Sequence, residues 1–486
     1  MAPTDYLSVK GIGDGLQYLK TTYASICHSI TALAPSVLGQ PISGIRMAGG
    51  TRIDRRGVLL IAGVHARELI NPDLLIFFAL KLCQAYTTNT GLTFGGKSYT
   101  AALVQLIVNN LDLFLVPLVN PDGRAWVQSP TGYAMWRKNR RTNPGSSCLG
   151  VDLNRNFDFL WTSGIGTSSS ACSDVYKGSS AMSEPEVQNI RTLLDTYPQI
   201  GYFVDIHSYS ELILYPWGDD ENQTTNPDMN FRNPAYDSRR GRVPDDPAHV
   251  YKEYIPEADR KWFVTTGERI RTAIAAVRGR SYTLQQSVGL YPTSATSDDY
   301  AYARHFVDPS QRKVRGMTFE TAAEFQPTYS EAVQVMQEVA AGLMEYCIAS
   351  VCATETILRS VASPELLIKL REFRDREFLK YPVGQQWVAL FDNHAAEINT
   401  RMAENEPLRK NAATLLLQVC KAASTYRDAS PQVIKADLVS DLDQLFNEMA
   451  SQGSVSLKQD LKAIRSKLVH FKGKTVLQGL KDSQPH

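Results

Sequence analysis

Long apolar runs are missing from this 486-residue chain, and none approaches the roughly 20 residues that a membrane-spanning helix needs. Cysteine is scarce, seven in all, which excludes a disulfide-stapled scaffold. Net charge is nearly absent: 51 Lys and Arg stand against 50 Asp and Glu, so no global field marks a binder of nucleic acid or of an anionic surface. The first residues, MAPTDYLSVKGIGDGL, lack a basic stretch followed by an apolar one, and no leader is visible. The expected compartment is therefore the cytoplasm for the chain as it stands, and extracellular if a leader was removed upstream. No fixed-period repeat appears. What is there is ordinary globular composition, 43% hydrophobic and 21% charged, in a chain long enough for two or three domains.

The first 350 residues alternate short apolar runs with amphipathic ones, the pattern of an α/β domain with a mixed central β-sheet flanked by helices. Strands are expected at 58–62, 113–119, 202–206, 213–215 and 316–319, and helices at 72–85, 184–196, 262–277 and 331–346. Residues 218–256, rich in Asp, Asn, Pro and Arg, read as a long irregular excursion. From about residue 351 glycine thins out and 3.6-period stretches such as SPELLIKLREFRDREFL and PLRKNAATLLLQVCKAA take over. Ser363-Pro364 and Asn405-Glu406-Pro407 read as helix starts with proline in the first turn. The expected division is residues 1–350 and an additional all-α region, 351–486. Its last stretch, from Ser456, holds seven basic residues against two acidic ones and reads as a solvated helix face.

VLLIAGVHARELI, residues 58–70, places His65 and Glu68 three apart where a buried strand ends. GYFVDIHSYSEL places His207 in the same context, at the end of a second apolar run. In open α/β sheets ligands collect at the carboxyl ends of strands. Two strands delivering His65, Glu68 and His207 there make a two-histidine, one-carboxylate zinc site with a position left for water. A hydrolytic zinc needs a base, and Glu320 in RGMTFETAAEF ends another expected strand. Of the other histidines, His28, His249, His394, His470 and His486 are expected on the surface, and His305 as structural. Cys148 and Cys172 bracket a Ser/Thr/Gly-rich loop and can bridge in an oxidising compartment. Cys347, Cys352 and Cys420 lack zinc spacing and read as buried thiols.

Together with HARE, VPLVNPDGR, MWRKNRR, GVDLNRNFDF, SEPE, DIHSYSELILYPWG and TFE in this order, these residues resemble the zinc metallocarboxypeptidases of the carboxypeptidase A/B type, over roughly residues 5 to 346. The resemblance implies the zinc carboxypeptidase fold, one Zn2+ on His65, Glu68 and His207, and peptide or protein C-termini as substrate. It implies Glu320 as catalytic base and Arg137 as oxyanion stabiliser. Asn154 and Arg155 match the residues that bind the terminal carboxylate, which a guanidinium fork grips bidentately. Asp152 matches the acid that orients a zinc-bound histidine, here His65. Tyr291 matches the mobile tyrosine that closes over substrate, and Arg67, Ser208 and Tyr209 match residues lining the cleft. Asp298 aligns with the base of the pocket for the C-terminal side chain, where an aspartate selects Lys or Arg; Ala295 and Thr296 replace two family glycines beside it, and Arg304 is a cation within reach in sequence. The segment from Cys347 resembles a bacterial C-terminal module that opens CFIATAAYG and continues into LREFRD.

Two other functions suit the same residues. One is a zinc amidohydrolase acting on peptidoglycan peptides or acyl-amino acids. The other is a non-catalytic binding protein on the peptidase fold, which a lost ligand or base would betray; none is lost.

Overall fold

Runs such as VLLIA and YFVDI carry no polar alternation because both faces of their strands are covered, as parallel strands at the centre of a sheet require. The structure, a computed structural model, describes residues 5–31, 33–51, 54–241 and 250–484. Its strands are β1 (Cys27–Ser29), β2 (Ile45–Met47), β3 (Arg56–Ala62), β4 (Leu92–Phe94), β5 (Lys97–Tyr99), β6 (Leu111–Val116), β7 (Ile200–Ser208), β8 (Leu212–Tyr215), β9 (Asn222–Gln223), β10 (Glu253–Tyr254), β11 (Thr283–Gln286) and β12 (Arg315–Thr321). Eight of them form one mixed sheet in the order β1-β2-β6-β3-β7-β12-β8-β11. The central pairs β6/β3, β3/β7 and β7/β12 are parallel, so these strands end at the same edge. Along β6 and β7 every residue is buried.

Helices Ile70–Thr88, Glu257–Arg278 and Tyr329–Ser350 flank the sheet. Tyr346 fastens the last of them: its hydroxyl accepts from Phe203 N at 3.0 Å and donates to the Arg315 carbonyl at 2.7 Å, tying the helix to β7 and β12. The chain divides into two compact units, Met1–Cys347 and Ile348–His486. The second is all helical, from Ala353–Leu358 to Val476–Asp482, around its own core with Ile357, Phe373, Ile398, Met402, Leu445 and Leu461 at its centre. Both expected helix starts are there: Ser363 Oγ accepts from Leu366 N, and Asn405 Oδ1 from Leu408 N. Among the described residues no helix is long and apolar enough to cross a membrane.

Several expectations need correction. The strand expected at 113–119 is Leu111–Val116, because Asn120 caps a new helix, Pro121–Val127, by accepting from Gly123 N. Helix Ala101–Asn110 escapes periodicity because it is apolar nearly all round. Helix Ser297–Val307 is not among the expected helices. His394 is not a surface residue: it is buried, with Nε2 2.9 Å from Asp460 Oδ2. Cys352 is only half-buried, unlike Cys347 and Cys420. Cys148 and Cys172 are joined as a disulfide. Among the described residues of the excursion only the short pair β9/β10 and one turn of 3-10 helix are regular; residues 242–249, and so His249, lie outside the described residues, as does His486.

Candidate metal centre

The parallel register decides where the chemistry collects. Ala62, the last residue of β3, pairs with Ile206, and Glu320 on β12 pairs with His207 on β7. Directly after β3, Gly63 turns the chain at φ +66°, and a Cβ there would meet Leu118 Cδ1 at 2.8 Å, so only glycine makes the turn without strain. The turn carries His65 and Glu68 over the strand ends before helix Ile70–Thr88 begins.

Three buried ligand groups converge there. His65 Nδ1 lies 2.7 Å from Glu68 Oε1, His207 Nδ1 3.1 Å from Glu68 Oε2, and the two imidazole Nδ1 atoms are 3.0 Å apart. Among the described residues this is the one group of at least three His, Cys, Asp or Glu whose ligand atoms all lie within 4.8 Å of one another. Two ring nitrogens facing each other beside a carboxylate suit a cation, and the N,N,O set with one side open is the donor set that zinc takes in hydrolases. Burial works to raise Glu68, but the two histidines overcome it and hold its carboxyl well below the usual range. Burial works against a charged His207, but Asp205 and Glu68 overcome it and raise its pKa well above the usual value.

Each histidine is backed by a carboxylate. Asp152 Oδ1 is 3.1 Å from His65 Nε2, while Asp152 Oδ2 accepts from Arg137 Nε at 2.9 Å. Arg137 and His65 outweigh burial and hold Asp152 well below the carboxylate range. Asp152 stays put because its side chain also caps the turn Leu153–Arg155, accepting from Asn154 N at 3.0 Å. Glu320 is half-buried; desolvation, with Glu68 and Asp205 nearby, pushes its carboxyl up to about 8 against the pull of His207 and Arg137.

The residues expected to line the cleft sit as follows. Asn154 Oδ1 accepts from Ser297 N at 2.9 Å, and Arg155 donates to the carbonyls of Asn154 and Gly166, with the Tyr291 ring 5.9 Å from its guanidinium. Tyr291 and Tyr209 are both exposed. Arg67 lies over Phe325 at 4.1 Å, and Tyr209 meets the same ring edge-on. Ser208 N donates to Glu68 Oε2 at 3.1 Å, so the serine backbone fixes a ligand carboxylate. Asp298 is buried in the first turn of helix Ser297–Val307, and Gly316 lets β12 pass there, since a Cβ would meet the Asp298 carbonyl at 2.6 Å. Burial above all, then Asp205, raises the Asp298 pKa. Arg304 does not neutralise it; it pairs with Asp195 and Gln311.

Sequence reasoning missed three supporting residues. Asn71 Nδ2 donates to Ser208 Oγ at 3.1 Å, Ser297 Oγ donates to Asp205 Oδ2 at 2.6 Å, and Asp205 Oδ2 lies 2.9 Å from His207 Nε2. The signal for Asp205 was present: residues two apart on a strand share a face, so an aspartate two before a ligand histidine points to the same side.

Comparison with known proteins agrees with this geometry. Residues 12–342 match the family described as zinc carboxypeptidase. Carboxypeptidase A4 of Mus musculus is 36% identical over 179 residues, 37% of this chain and 39% of that protein. Carboxypeptidase B of Bos taurus is 29% identical over 324 residues, 65% of this chain and 66% of that protein. The matched stretches thus span less than two thirds of these relatives. The crystal structure of the carboxypeptidase A from Helicoverpa armigera superposes with a TM-score of 0.55 at 23% identity, covering 71% of this chain and 73% of that one, a likeness of fold. With the matched region running from the first helix to the helix after β12, through His65, Glu68, His207 and Glu320, the chain belongs to the zinc carboxypeptidase family.

Proposed function

We propose that this protein is a zinc-dependent metallocarboxypeptidase that hydrolyses the C-terminal peptide bond of peptides or proteins and prefers a basic C-terminal residue. The observation that carries the reading is the convergence of His65 Nδ1, His207 Nδ1 and Glu68 at the sheet edge where Glu320 stands one residue from the end of β12. Zinc, when bound by these three, supplies Lewis-acid chemistry that acidifies water and draws charge from a carbonyl. Glu320, as a carboxylate, takes the proton of the attacking water and hands it to the leaving amine. Arg137, anchored through Nε by Asp152, directs its remaining guanidinium donors at the charge that develops on the scissile oxygen. Asn154 and Arg155 receive the terminal carboxylate, Tyr291 closes over it, and Arg67, Ser208 and Tyr209 contact the residues upstream. Residues 1–350 form the catalytic domain on this reading, and 351–486 a separate helical module.

Relatives named carboxypeptidase A and carboxypeptidase B match alike, so the preference rests on Asp298. A buried carboxylate without an ion-pair partner is stabilised by an incoming Lys or Arg and left uncompensated by Phe or Leu. The test is hydrolysis of hippuryl-Arg and hippuryl-Phe side by side. Arg favoured by tenfold or more in kcat/KM supports the assignment; Phe favoured removes the basic pocket and leaves the zinc chemistry standing.

A further inference from the structure

We infer that Asp205 sets the tautomer and donor strength of the zinc ligand His207, and that Ser297 holds Asp205 in place from the helix that carries Asp298. The inference rests on the zinc reading above. It starts from proton counting. His207 Nδ1 faces His65 Nδ1 and Glu68, so a ligating His207 carries no proton there and its proton sits on Nε2. That N–H needs an acceptor. Asn154 Nδ2, 3.4 Å away, is a donor, because Asn154 Oδ1 is fixed as the acceptor of the Ser297 amide. Asp205 Oδ2, at 2.9 Å, is the acceptor in reach. Its second donor is the Ser297 hydroxyl at 2.6 Å, and its Oδ1 meets none; the carboxylate is wholly buried.

The result is a chain of contacts from His207 through Asp205 to the Ser297 hydroxyl, with the Ser297 amide held in turn by Asn154 Oδ1. It is the counterpart of Asp152 behind His65, and it ends one residue from Asp298. Carboxylates placed behind metal-bound imidazoles raise ligand basicity and fix ring orientation, and their loss commonly weakens metal binding about 10- to 100-fold. Asp205 touches no substrate and acts through His207, so it is a positioning residue.

The test measures zinc affinity of the full chain by competition with a chromophoric chelator, for the unaltered protein, Asp205→Asn and Ser297→Ala. Asparagine keeps one acceptor oxygen for His207 Nε2 and the Ser297 hydroxyl, removes the charge, and puts an amide NH2 in place of the unpartnered Oδ1. The expected result is a zinc dissociation constant raised about tenfold or more in Asp205→Asn, and by a smaller factor in Ser297→Ala. The melting temperature of zinc-free Asp205→Asn is measured beside it, because in the zinc-free protein Asp205 also faces a His207 whose charged form it favours. A merely structural Asp205 gives a lower zinc-free melting temperature with zinc affinity unchanged; unchanged affinity overturns the inference. If Asp205→Asn does not fold, Ser297→Ala decides: zinc affinity equal to the parent's overturns the proposal, and weakened affinity supports it. An unaltered protein that binds no zinc overturns the metal reading itself, which is a distinct failure.

Discussion

Two imidazole nitrogens 3.0 Å apart, each with a carboxylate behind its ring, are an arrangement that proteins assemble for a cation and seldom otherwise. At the scale of single residues, Glu320 and Asp298 carry the consequences most open to test. Glu320→Gln keeps size and hydrogen bonding but cannot accept a proton, so kcat/KM is expected to fall about 10²- to 10⁴-fold with bound zinc unchanged; assay and metal analysis on the same sample check both halves. Asp298→Ser is expected to lower kcat/KM for a C-terminal arginine substrate about tenfold or more while leaving the phenylalanine substrate level or improved. Parallel loss on both substrates would show that Asp298 supports the fold and selects nothing. His65, Glu68 and His207 were legible in the sequence because each follows a run too apolar to be anything but a central strand. Asp205 sat inside such a run and was read as part of it. The failure of Arg304 to reach Asp298 was not legible, because only the folded chain shows it turned toward Asp195 and Gln311.

Elements were readable wherever burial imposed a strong period. β3, β7 and β12 and the helices Ile70–Thr88 and Pro185–Thr196 were all foreseen, with ends displaced by a few residues. Among what escaped were short or uniformly apolar elements, such as the short strands Cys27–Ser29 and Ile45–Met47 and helix Ala101–Asn110, and the mixed-polarity helices Val9–Thr22 and Ser297–Val307. Helix Pro185–Thr196 carries a consequence of its own in Glu186, wholly buried in its first turn, whose Oε1 accepts from Val37 N at 3.0 Å. Burial pushes this carboxyl from an ordinary 4.5 up to about 7, against the Val37 bond. A raised acid pKa means that the fold favours the protonated form. The stabilising contribution is therefore full below the unfolded value and is lost as pH rises through about 7. Denaturant unfolding from about pH 5 to about pH 8 is expected to show stability falling, and Glu186→Gln to flatten that fall by at most on the order of 3 kcal/mol. Equal slopes for the two proteins would contradict the account.

At the scale of the whole molecule, two cores divide the chain, and the chemistry stands in the first of them. The change of composition near residue 351 announced this division, because a helical bundle needs fewer turn-forming glycines than a sheet with crossovers. On the proposed function, the nearly neutral net charge leaves recognition to local groups: the guanidinium groups of Arg137 and Arg155, and the buried carboxylate of Asp298. On the proposed function, what the protein recognises is therefore a free terminal carboxylate, and not merely an amide bond. The measurement that tests this most directly uses the chelator-stripped protein, a blocked dipeptide ending in a free carboxylate, and the same dipeptide ending in an amide. Cleavage of the acid alone, restored by one equivalent of zinc, is the predicted result. Equal cleavage of the amide, or no recovery with zinc, would contradict it.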